Sequence, residues 1–574
     1  MKQIIAKCIK NKLLLSFISS YLIYCSLCYQ GILVSYNILS IVIFGVIFYF
    51  IYNTEKKLEY KKELSFISIL FSFVLLIGRI LYNNRYSPTL DFFDELLNLK
   101  SIIYFLGNEQ LIYFVLMNII PKLIKLKNSK KERNIPRLFL ISFFVIIVCY
   151  IPYLITFFPG ILTGDSITEM SMIKGVIPIS DQHTIAHLLF MIIPFKIGTL
   201  LFKNINLSVG LISITQIVVM ALSFAYVIMF LKKREISNKL VFIILIYYAL
   251  LPVNGFYSIT LWKDIFFSCS MVLFTIECYK LLEKKGNITL KNSYMFIVTS
   301  LLVIFTRNNA IYMYMIFTVV TIYMFRKNIK TIGIMLMIVL ITYITVKGPI
   351  YNYLKISKSS SAEYLAIPLQ QVGRMAYKDV KFTKKEENMI NKIIPVKELK
   401  KSYNPEIVDP IKFNKKYNSK EFEKNKIEYL KIWSNLCYKH PKIAIESYLI
   451  STLGYWYPGT EYWVTTGQID SNNLGIHNYT FIPKTAKKYA IKNIMNSNPI
   501  FGFFNCIGLY FWLIIILAYI TMKKIDKKYL YIYTPVFGIW LTMMIAAPVF
   551  SEFRYIYSAV ICLPLYFGLI YTKK

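Results

Sequence analysis

The sequence lacks the spacing patterns that identify several common protein classes. Its nine cysteines are scattered, some of them within apolar runs such as Cys25, Cys28 and Cys149, and none forms a C-x-x-C pair. This pattern argues against a zinc motif or a disulfide framework and indicates cysteines that pack as small apolar residues. No internal repeat is evident either, which weighs against a transporter built from two repeated halves.

Acidic residues are scarce. The chain has 30 Asp and Glu against 66 Lys and Arg, a formal net charge of +36. The basic residues fall largely in short loops between apolar runs, where they orient a chain in a membrane. Because no stretch outside those runs interleaves aromatic and basic residues, we expect no nucleic-acid partner.

Apolar residues are abundant instead, at 56% of the chain with 16% aromatics, as in multi-span membrane proteins. The high use of Ile, Tyr, Phe, Lys and Asn suggests an AT-rich bacterial genome, so the bacterial cell membrane is the expected location. Runs long enough to cross about 30 Å of hydrocarbon predict an all-α polytopic membrane protein with about fourteen transmembrane helices. These runs lie near 13–30, 33–53, 65–83, 101–121, 138–158, 208–231, 240–258, 264–282, 292–307, 309–325, 331–348, 500–522, 529–548 and 555–572.

The short basic loops are assigned to the cytoplasm, so every second loop lies outside. Two more apolar segments, 184–202 and 443–459, would reverse this alternation if they crossed. We therefore expect both in the outer interface, the first broken by Pro194 and turning His187 and Lys196 to its polar side.

The predicted divisions are N-terminal accessory helices 1–135, a transmembrane core 136–348 with external loop 159–207, an α-rich extracytoplasmic region 349–499 and C-terminal helices 500–574. Within the third division, helices are expected near Lys384–Ile394 and Lys420–Cys437.

The polar residues converge on the predicted outer face. Asp165 follows the turn-forming P-G-I-L-T-G, and Glu169 lies one helical turn later if a helix begins with Asp165 as its N-cap. Desolvation at the membrane boundary raises the basicity of a carboxylate, so Asp165 suits a general base. The alternative is that Asp165 only caps the helix.

His183 and His187 have i, i+4 spacing, which on a helix turns both rings to one side. They could bind substrate or phosphate by hydrogen bonds, ligate a metal or serve structure. Asp181 is either a partner of one of the rings or a solvated loop charge. A divalent metal held by Asp165, Glu169 and His183 is an open alternative, and no cofactor is firmly predicted.

Charged residues at other predicted outer ends complete the set of candidate binding residues, which are Lys263, Asp264, Arg307, Glu552 and Arg554. An Arg fork suits a pair of phosphate oxygens. The alternatives are an Arg554–Glu552 structural pair, and an interface anchor made of Trp262 with a snorkelling Lys263.

An ordered set of motifs spans the chain from about Pro136 to the C-terminus: FFPGILTGDSITE, ISDQHTIAH, LWKDIFFS, FTRNNAIY, IPLQQVGR, YNPEIVDPIK, YPG and SEFRYIY. Together they resemble the DUF6020 family of bacterial multi-span proteins, which is similar to the GT-C glycosyltransferases. The family pattern has Gln where this chain has Glu169, and Pro where it has Thr184. The first difference adds a charge beside Asp165, and the second weakens the start of a helix at His183.

The resemblance implies a GT-C-like bundle with a large first external loop that carries the catalytic carboxylate. It implies transfer of a sugar from a polyprenyl-phosphate-linked donor to an envelope glycan or lipid acceptor outside the membrane. Asp165 would be the base, Glu169 an auxiliary group, and Lys263, Arg307 and Arg554 would neutralise the leaving phosphate. The competing functions are a transporter or flippase of lipid-linked saccharides and an envelope polysaccharide polymerase or ligase.

Overall fold

A computed structural model of the chain describes residues 12–30, 37–54, 61–126, 135–284, 286–357, 365–479, 481–483, 485, 487, 502 and 504–572. Over these ranges the fold is helical, with three isolated β-bridges between loops and no strand. Within the same ranges, nine helices are long and apolar enough to cross a membrane, and one bent pair would make ten. The predicted all-α, multi-pass membrane class is confirmed, whereas the number of about fourteen spans stays a prediction.

The helices are numbered along the chain. The first group is α1 (Lys12–Tyr29), α2 (Ile38–Asn53), α3 (Lys61–Asn84), α4 (Phe92–Leu96) and α5 (Leu99–Lys125). The second is α6 (Leu138–Thr156), α7 (Gly164–Ile173), α8 (Ile185–Phe202), α9 (Ile205–Lys232), α10 (Asn238–Leu250), α11 (Pro252–Ser258), α12 (Lys263–Glu283), α13 (Leu290–Thr306), α14 (Ala310–Met324), α15 (Ile329–Thr345) and α16 (Tyr351–Tyr353). The third is α17 (Ala366–Tyr377), α18 (Lys384–Ile393), α19 (Val396–Ser402), α20 (Asp409–Lys412), α21 (Ser419–Lys439) and α22 (Pro441–Ser451). The last is α23 (Ile507–Lys524), α24 (Thr534–Ile545) and α25 (Phe553–Leu569).

The chain divides into two compact units. The first unit joins Met1–Leu126 to Ile367–Thr460, and the second joins Lys127–Ala366 to Glu461–Lys574. The predicted region 349–499 is thus shared between them, because backbone contacts tie its later part to the second unit: the Asp470 amide donates to the Leu162 carbonyl at 2.8 Å. The two units come from contacts within the fold and do not test the functional roles of the four predicted divisions, which stay a prediction.

In the first unit, α1 and α3 pack against α5, and polar contacts join these apolar helices. The Asn108 amide donates to Ser26 Oγ at 3.0 Å, and Ser68 Oγ donates to Glu109 Oε1 at 3.0 Å. Both helices predicted in the soluble region are present as α18 and α21. Helix α18 begins with a capping box formed by Thr383 and Glu386.

In the second unit, α12 is the central helix. It packs against α9, α13 and α25, and 78% of its most apolar 18-residue window is buried. Its N-terminal end carries Lys263 and Asp264, and the start of α25 carries Arg554. These two helix ends therefore bring together charges that are far apart in sequence.

Two local predictions need correction or stay open. Helix α8 runs unbroken through Pro194, so the predicted break there is wrong; a proline costs a helix one hydrogen bond and is tolerated inside apolar helices. His187, on the same helix, is fully buried, so it is not turned to a polar outer side.

Helix α8 is long and apolar enough to cross a membrane, whereas α22 has eleven residues and is too short. That both segments lie in the interface stays a prediction.

Candidate functional site

The F-P-G turn before α7 is fixed by neighbouring backbone. Gly160 has φ +146°, and a Cβ there would lie 2.4 Å from Ser213 Oγ and 2.9 Å from the Ile259 carbonyl. Only glycine fits this conformation and this close approach. The Ile161 amide then donates to the Ile259 carbonyl at 2.9 Å, and the Leu261 amide donates back to Ile161 at 3.1 Å. The turn and the L-W-K-D loop thus form one backbone assembly.

Side chains at the start of α7 strengthen this assembly. Trp262 Nε1 donates to Thr163 Oγ1 at 2.7 Å, and Ser166 Oγ donates to the Leu261 carbonyl at 2.6 Å. Thr163 is the N-cap residue and Asp165 lies in the first turn, so the prediction of Asp165 as N-cap is wrong. Because Asp165 does not cap the helix, its carboxylate can contact side chains from other parts of the chain. Trp262 is 1% exposed, which also overturns its interpretation as an interface anchor.

Arg554 joins two carboxylates at this point. Its NH1 group lies 2.5 Å from Asp165 Oδ2, and its Nε lies 3.3 Å from Glu552 Oε1, without hydrogen-bond geometry for the second pair. The guanidinium also lies over the Trp262 ring, 4.8 Å from the centroid. The Asp165 side chain is 40% exposed and that of Arg554 13%. Arg554 is thus more than the partner of Glu552: its strongest contact is to the more accessible carboxylate.

The two carboxylates differ in acidity. Burial raises the pKa of Asp165, but Arg554, then Lys263 and His183, outweigh it, so the pKa lies well below its ordinary value. Burial raises the pKa of Glu552 to about 7, helped by Asp264 and Asp165 and opposed by Arg554. At neutral pH Asp165 is therefore ionised, while Glu552 is divided between its two forms. We call Asp165, Lys263, Glu552 and Arg554 the Asp165 cluster.

Asp264 and Arg307 form a buried ion pair beside this cluster. The Arg307 NH1 group lies 3.1 Å from Asp264 Oδ1, and the side chains are 6% and 1% exposed. Arg307 also donates to Asn309 Oδ1 at 2.8 Å and to the Tyr555 carbonyl at 2.9 Å. With its donors so occupied, Arg307 is less accessible to a phosphate than Arg554, and its predicted direct contact with one stays a prediction.

Lys263, a member of the Asp165 cluster, contacts the loop that carries His183. Lys263 Nζ donates to the Gln182 carbonyl at 3.2 Å, which ties the start of α12 to the loop before α8. Burial lowers the pKa of His183, and Lys263 lowers it further, whereas Glu169 and Asp165 raise it. The His183 imidazole is therefore close enough to all three for their charges to act on it.

Glu169 and His187 form a pair behind this cluster. His187 Nδ1 lies 2.8 Å and 3.0 Å from the two Glu169 carboxylate oxygens, and both residues are buried. Asp165 and Glu169 share α7, as the predicted helix requires. His183 instead precedes the N-cap residue Thr184, so the two histidines do not form an i, i+4 pair on one helix.

Asp181 has a partner that the sequence did not suggest. Lys347 Nζ lies 2.7 Å and 2.8 Å from its two carboxylate oxygens, and Tyr351 Oη donates to it at 3.3 Å. Asn308 donates to the Asp181 carbonyl at 2.6 Å. Asp181 is therefore neither solvated nor the partner of an imidazole: it fastens the loop before His183. The sequence did contain one sign of this contact: Lys347 is a charged residue at the end of the predicted apolar run 331–348.

The metal alternative finds little support in the positions of the side chains. Across the described ranges, no group of three His, Cys, Asp or Glu side chains is placed to hold one ion. Asp165 is engaged by Arg554, and Glu169 by His187. Asp165 and Glu169 are thus each paired with a different side chain, and His183 shares neither of these two contacts.

Comparison with known proteins places the chain in a family without assigning an activity. The model for the family of unknown function DUF6020 matches residues 176–573, so the chain belongs to that family. The match includes Lys263, Arg307 and Arg554 and begins after Asp165 and Glu169. No curated protein and no solved structure matches significantly.

Proposed function

We propose that this member of DUF6020 is a cell-envelope glycosyltransferase with a GT-C-like bundle of about fourteen transmembrane helices. It moves a sugar from a polyprenyl-phosphate-linked donor to a hydroxyl of an envelope glycan or lipid on the outer face of the bacterial cell membrane. The observation that carries the proposal is the Asp165–Arg554 pair, because it joins a half-exposed carboxylate to a cation at two helix starts. Glycosyl transfer needs both groups at one point: a base for the acceptor and a cation for the departing phosphate.

Arg554 is the residue that we assign to the donor phosphate. Its planar fork can hold two phosphate oxygens, and the guanidinium packs over the Trp262 ring. Lys263, half-buried at the N-terminal end of α12, adds a second positive charge. The first-turn amides of that helix contribute a further favourable field for an anion.

Asp165 is the residue that we assign to the acceptor hydroxyl. In the unliganded protein its ion pair with Arg554 makes it a weak base, as its lowered pKa shows. A phosphate that binds Arg554 competes with this ion pair, so the donor itself raises the basicity of Asp165. The acceptor oxygen then attacks the anomeric carbon while its proton passes to Asp165 and the phosphate leaves with the bonding electrons.

The test uses purified protein, radiolabelled polyprenyl-phosphate sugars and an envelope acceptor fraction. Wild type is expected to form labelled glycoside, and Asp165→Asn to lose about 10²–10⁴-fold in rate. Full activity in Asp165→Asn would remove the base assignment. Movement of intact lipid-linked saccharide across vesicles, without transfer, would replace the enzyme by a transporter or flippase. Transfer only of preassembled oligosaccharide would identify a polymerase or ligase.

Two controls belong to the same assay. Lys400→Gln alters an exposed pair with Asp379 in the first unit and should leave the rate unchanged. Treatment with a chelator tests metal dependence. We expect a change of less than about twofold, because the described residues bring no three ligands together. A large loss restored by a divalent cation would reinstate the metal alternative.

A further inference from the structure

Three pairs of consecutive residues in the second unit form a closed circuit of contacts, which we call the contact ring. The pairs come from the loop before α8, the start of α12 and the turn between α13 and α14. Each pair contacts the other two pairs, and a different member of the pair makes each contact. The pairs are Asp181–Gln182, Lys263–Asp264 and Arg307–Asn308.

Two hydrogen bonds tie the loop before α8 into the contact ring. Lys263 Nζ donates to the Gln182 carbonyl at 3.2 Å. Asn308 Nδ2 donates to the Asp181 carbonyl at 2.6 Å. Both acceptors are main-chain carbonyls of successive residues, so the two bonds fix the path of the loop at this point.

An ion pair closes the contact ring. The Arg307 NH1 group lies 3.1 Å from Asp264 Oδ1, without hydrogen-bond geometry, and the two side chains are 6% and 1% exposed. Asp264 directly follows Lys263 in the first turn of α12. The ion pair therefore holds the part of the backbone from which the Lys263 side chain extends.

Lys347 braces the contact ring from outside. Its Nζ lies 2.9 Å from Asn308 Oδ1, and 2.7 Å and 2.8 Å from the two carboxylate oxygens of Asp181. The Asp181 amide also donates to the Ser357 carbonyl at 2.8 Å. One cation thus holds both members of the Asn308–Asp181 contact, so the brace stabilises the junction between the loop and the turn.

Lys263 differs from the other charged members of the contact ring. The Asp264 carboxylate pairs with Arg307, and the Asp181 carboxylate pairs with Lys347. Neither carboxylate of the contact ring therefore neutralises Lys263. An ammonium has three N–H groups, and a single backbone carbonyl accepts from this one among the described residues. The contact ring thus holds in place a cation with bonding capacity left for an anion.

We propose that the contact ring positions Lys263 for the donor phosphate, and that Asn308 and Lys347 are positioning residues of the phosphate site. This inference rests on the proposed function. A lysine side chain is long and flexible, so ordering a free one on binding would offset part of the binding free energy. The contact ring orders Lys263 before the donor arrives, which removes that cost.

Equilibrium binding of polyprenyl phosphate tests the contact ring through a double-mutant cycle. Asn308→Ala removes both bonds of the amide and should weaken binding about two- to tenfold, the range for one lost hydrogen bond. If the contact ring acts through Lys263, the double variant with Lys263→Met should bind no more weakly than Lys263→Met alone. Losses that multiply in the double variant would overturn the proposal, because Asn308 would then affect the phosphate by another route.

Two further variants separate positioning from a general loss of structure. Asn292→Ala removes an amide at the other end of α13, where it donates to the Asn287 carbonyl at 2.7 Å and accepts from the Thr289 amide at 3.0 Å. This variant should leave donor binding unchanged, and weakening equal to that of Asn308→Ala would count against the contact ring. Asn308→Ser, which keeps a hydroxyl for Lys347, replaces Asn308→Ala in the cycle if thermal unfolding in detergent shows that the alanine variant does not fold.

A second readout needs no donor. A limiting amount of an amine-reactive reagent labels each lysine according to the freedom of its ammonium, and mass spectrometry measures the peptide that contains Lys263. Release of Lys263 in Asn308→Ala should raise its labelling rate about twofold or more relative to the exposed Lys400. An unchanged rate would overturn the proposal. Faster labelling in a protein that binds no polyprenyl phosphate would instead contradict the proposed function and leave the contact ring in place.

Discussion

Each unit of the molecule has a cluster of charged residues around an arginine, and the two clusters differ in how completely they are paired. In the first unit, Arg374 donates to Glu446 Oε1 at 2.8 Å and 2.5 Å, and to the carbonyls of Arg85 at 2.7 Å and Ser87 at 3.1 Å. Lys378 donates to the other Glu446 oxygen at 2.9 Å. Arg374 is fully buried, and each of its guanidinium nitrogens has a partner.

The Asp165 cluster of the second unit is less complete. Of its two acidic members, Asp165 is 40% exposed, and Glu552 has one carboxylate oxygen, Oε1, without a hydrogen-bond partner among the described residues. The buried nitrogens His183 Nδ1 and His187 Nε2 also lack such partners. In a closed cluster such as that of Arg374, each guanidinium nitrogen already has a partner, so removal of one member leaves a buried group unpaired. An open one retains unused bonding capacity for a ligand. The comparison therefore separates a structural arginine from one that we assign to substrate.

The largest expected effect is loss of stability at the closed cluster. Arg374→Ala leaves the Glu446 carboxylate buried with Lys378 as its remaining cation, and should lower the free energy of unfolding by about 3–5 kcal/mol. Thermal unfolding in detergent measures this. A stable Arg374→Ala protein that had lost only donor binding would reverse the assignment of the two clusters.

The next effect is loss of donor affinity at the open cluster. Arg554→Ala should weaken binding of polyprenyl phosphate about 100-fold, a change of about 2.7 kcal/mol, and leave stability nearly unchanged. Arg554→Lys should recover only part of the affinity, because a lysine cannot form the two-pronged contact. Equal weakening of donor and acceptor binding would count against a phosphate site at Arg554.

A smaller effect is expected from pH. The pKa of Glu552, about 7, is raised from an ordinary value of 4.5, so its contribution to stability is complete below pH 4.5 and is lost as pH rises through 7. Its ionisation also places a negative charge beside Arg554, so donor affinity should fall about tenfold as pH rises from 6 to 8. Glu552→Gln should abolish that dependence. Retention of the dependence in this variant would show that another group titrates.

The smallest effect is expected at Lys263. This residue is half-buried and donates to the Gln182 carbonyl, so it adds to the field at Arg554 without an ion pair of its own. Lys263→Met should weaken donor binding by about three- to tenfold in an equilibrium assay, and less at high salt. An effect as large as that of Arg554→Ala would make Lys263 the main phosphate ligand.

The sequence predicted the members of the open cluster better than their partners. Asp165 and Glu169 lie one turn apart on α7 as expected, because a turn followed by an i, i+4 pair is a local pattern. The contacts of Asp165 with Arg554, 389 positions away, and of Asp181 with Lys347 depend on helix packing, which local patterns do not encode. Trp262 was misassigned for the same reason: an aromatic residue at a span end is typical of the interface, and only the fold buries it.

The division into two units also depends on contacts between residues that are far apart in sequence. Sequence patterns predicted the apolar helices and the polar helices α18 and α21, because both follow from hydrophobic and capping patterns. The association of residues 367–460 with the first helices within one unit rests on contacts such as Arg374 with the Arg85 carbonyl. Arg374 ends the motif IPLQQVGR, but no local pattern shows that it pairs with a residue 289 positions away.

A single-turnover measurement tests the central claim most directly, since it separates donor binding from chemistry. Wild type, Asp165→Asn and Arg554→Ala would each be mixed with labelled polyprenyl-phosphate sugar and acceptor, with bound donor and formed glycoside counted separately. We expect Asp165→Asn to bind donor at least as tightly as wild type but to form almost no glycoside, and Arg554→Ala to fail to bind donor. Rapid glycoside formation by Asp165→Asn, or wild-type donor binding by Arg554→Ala, would contradict the central claim.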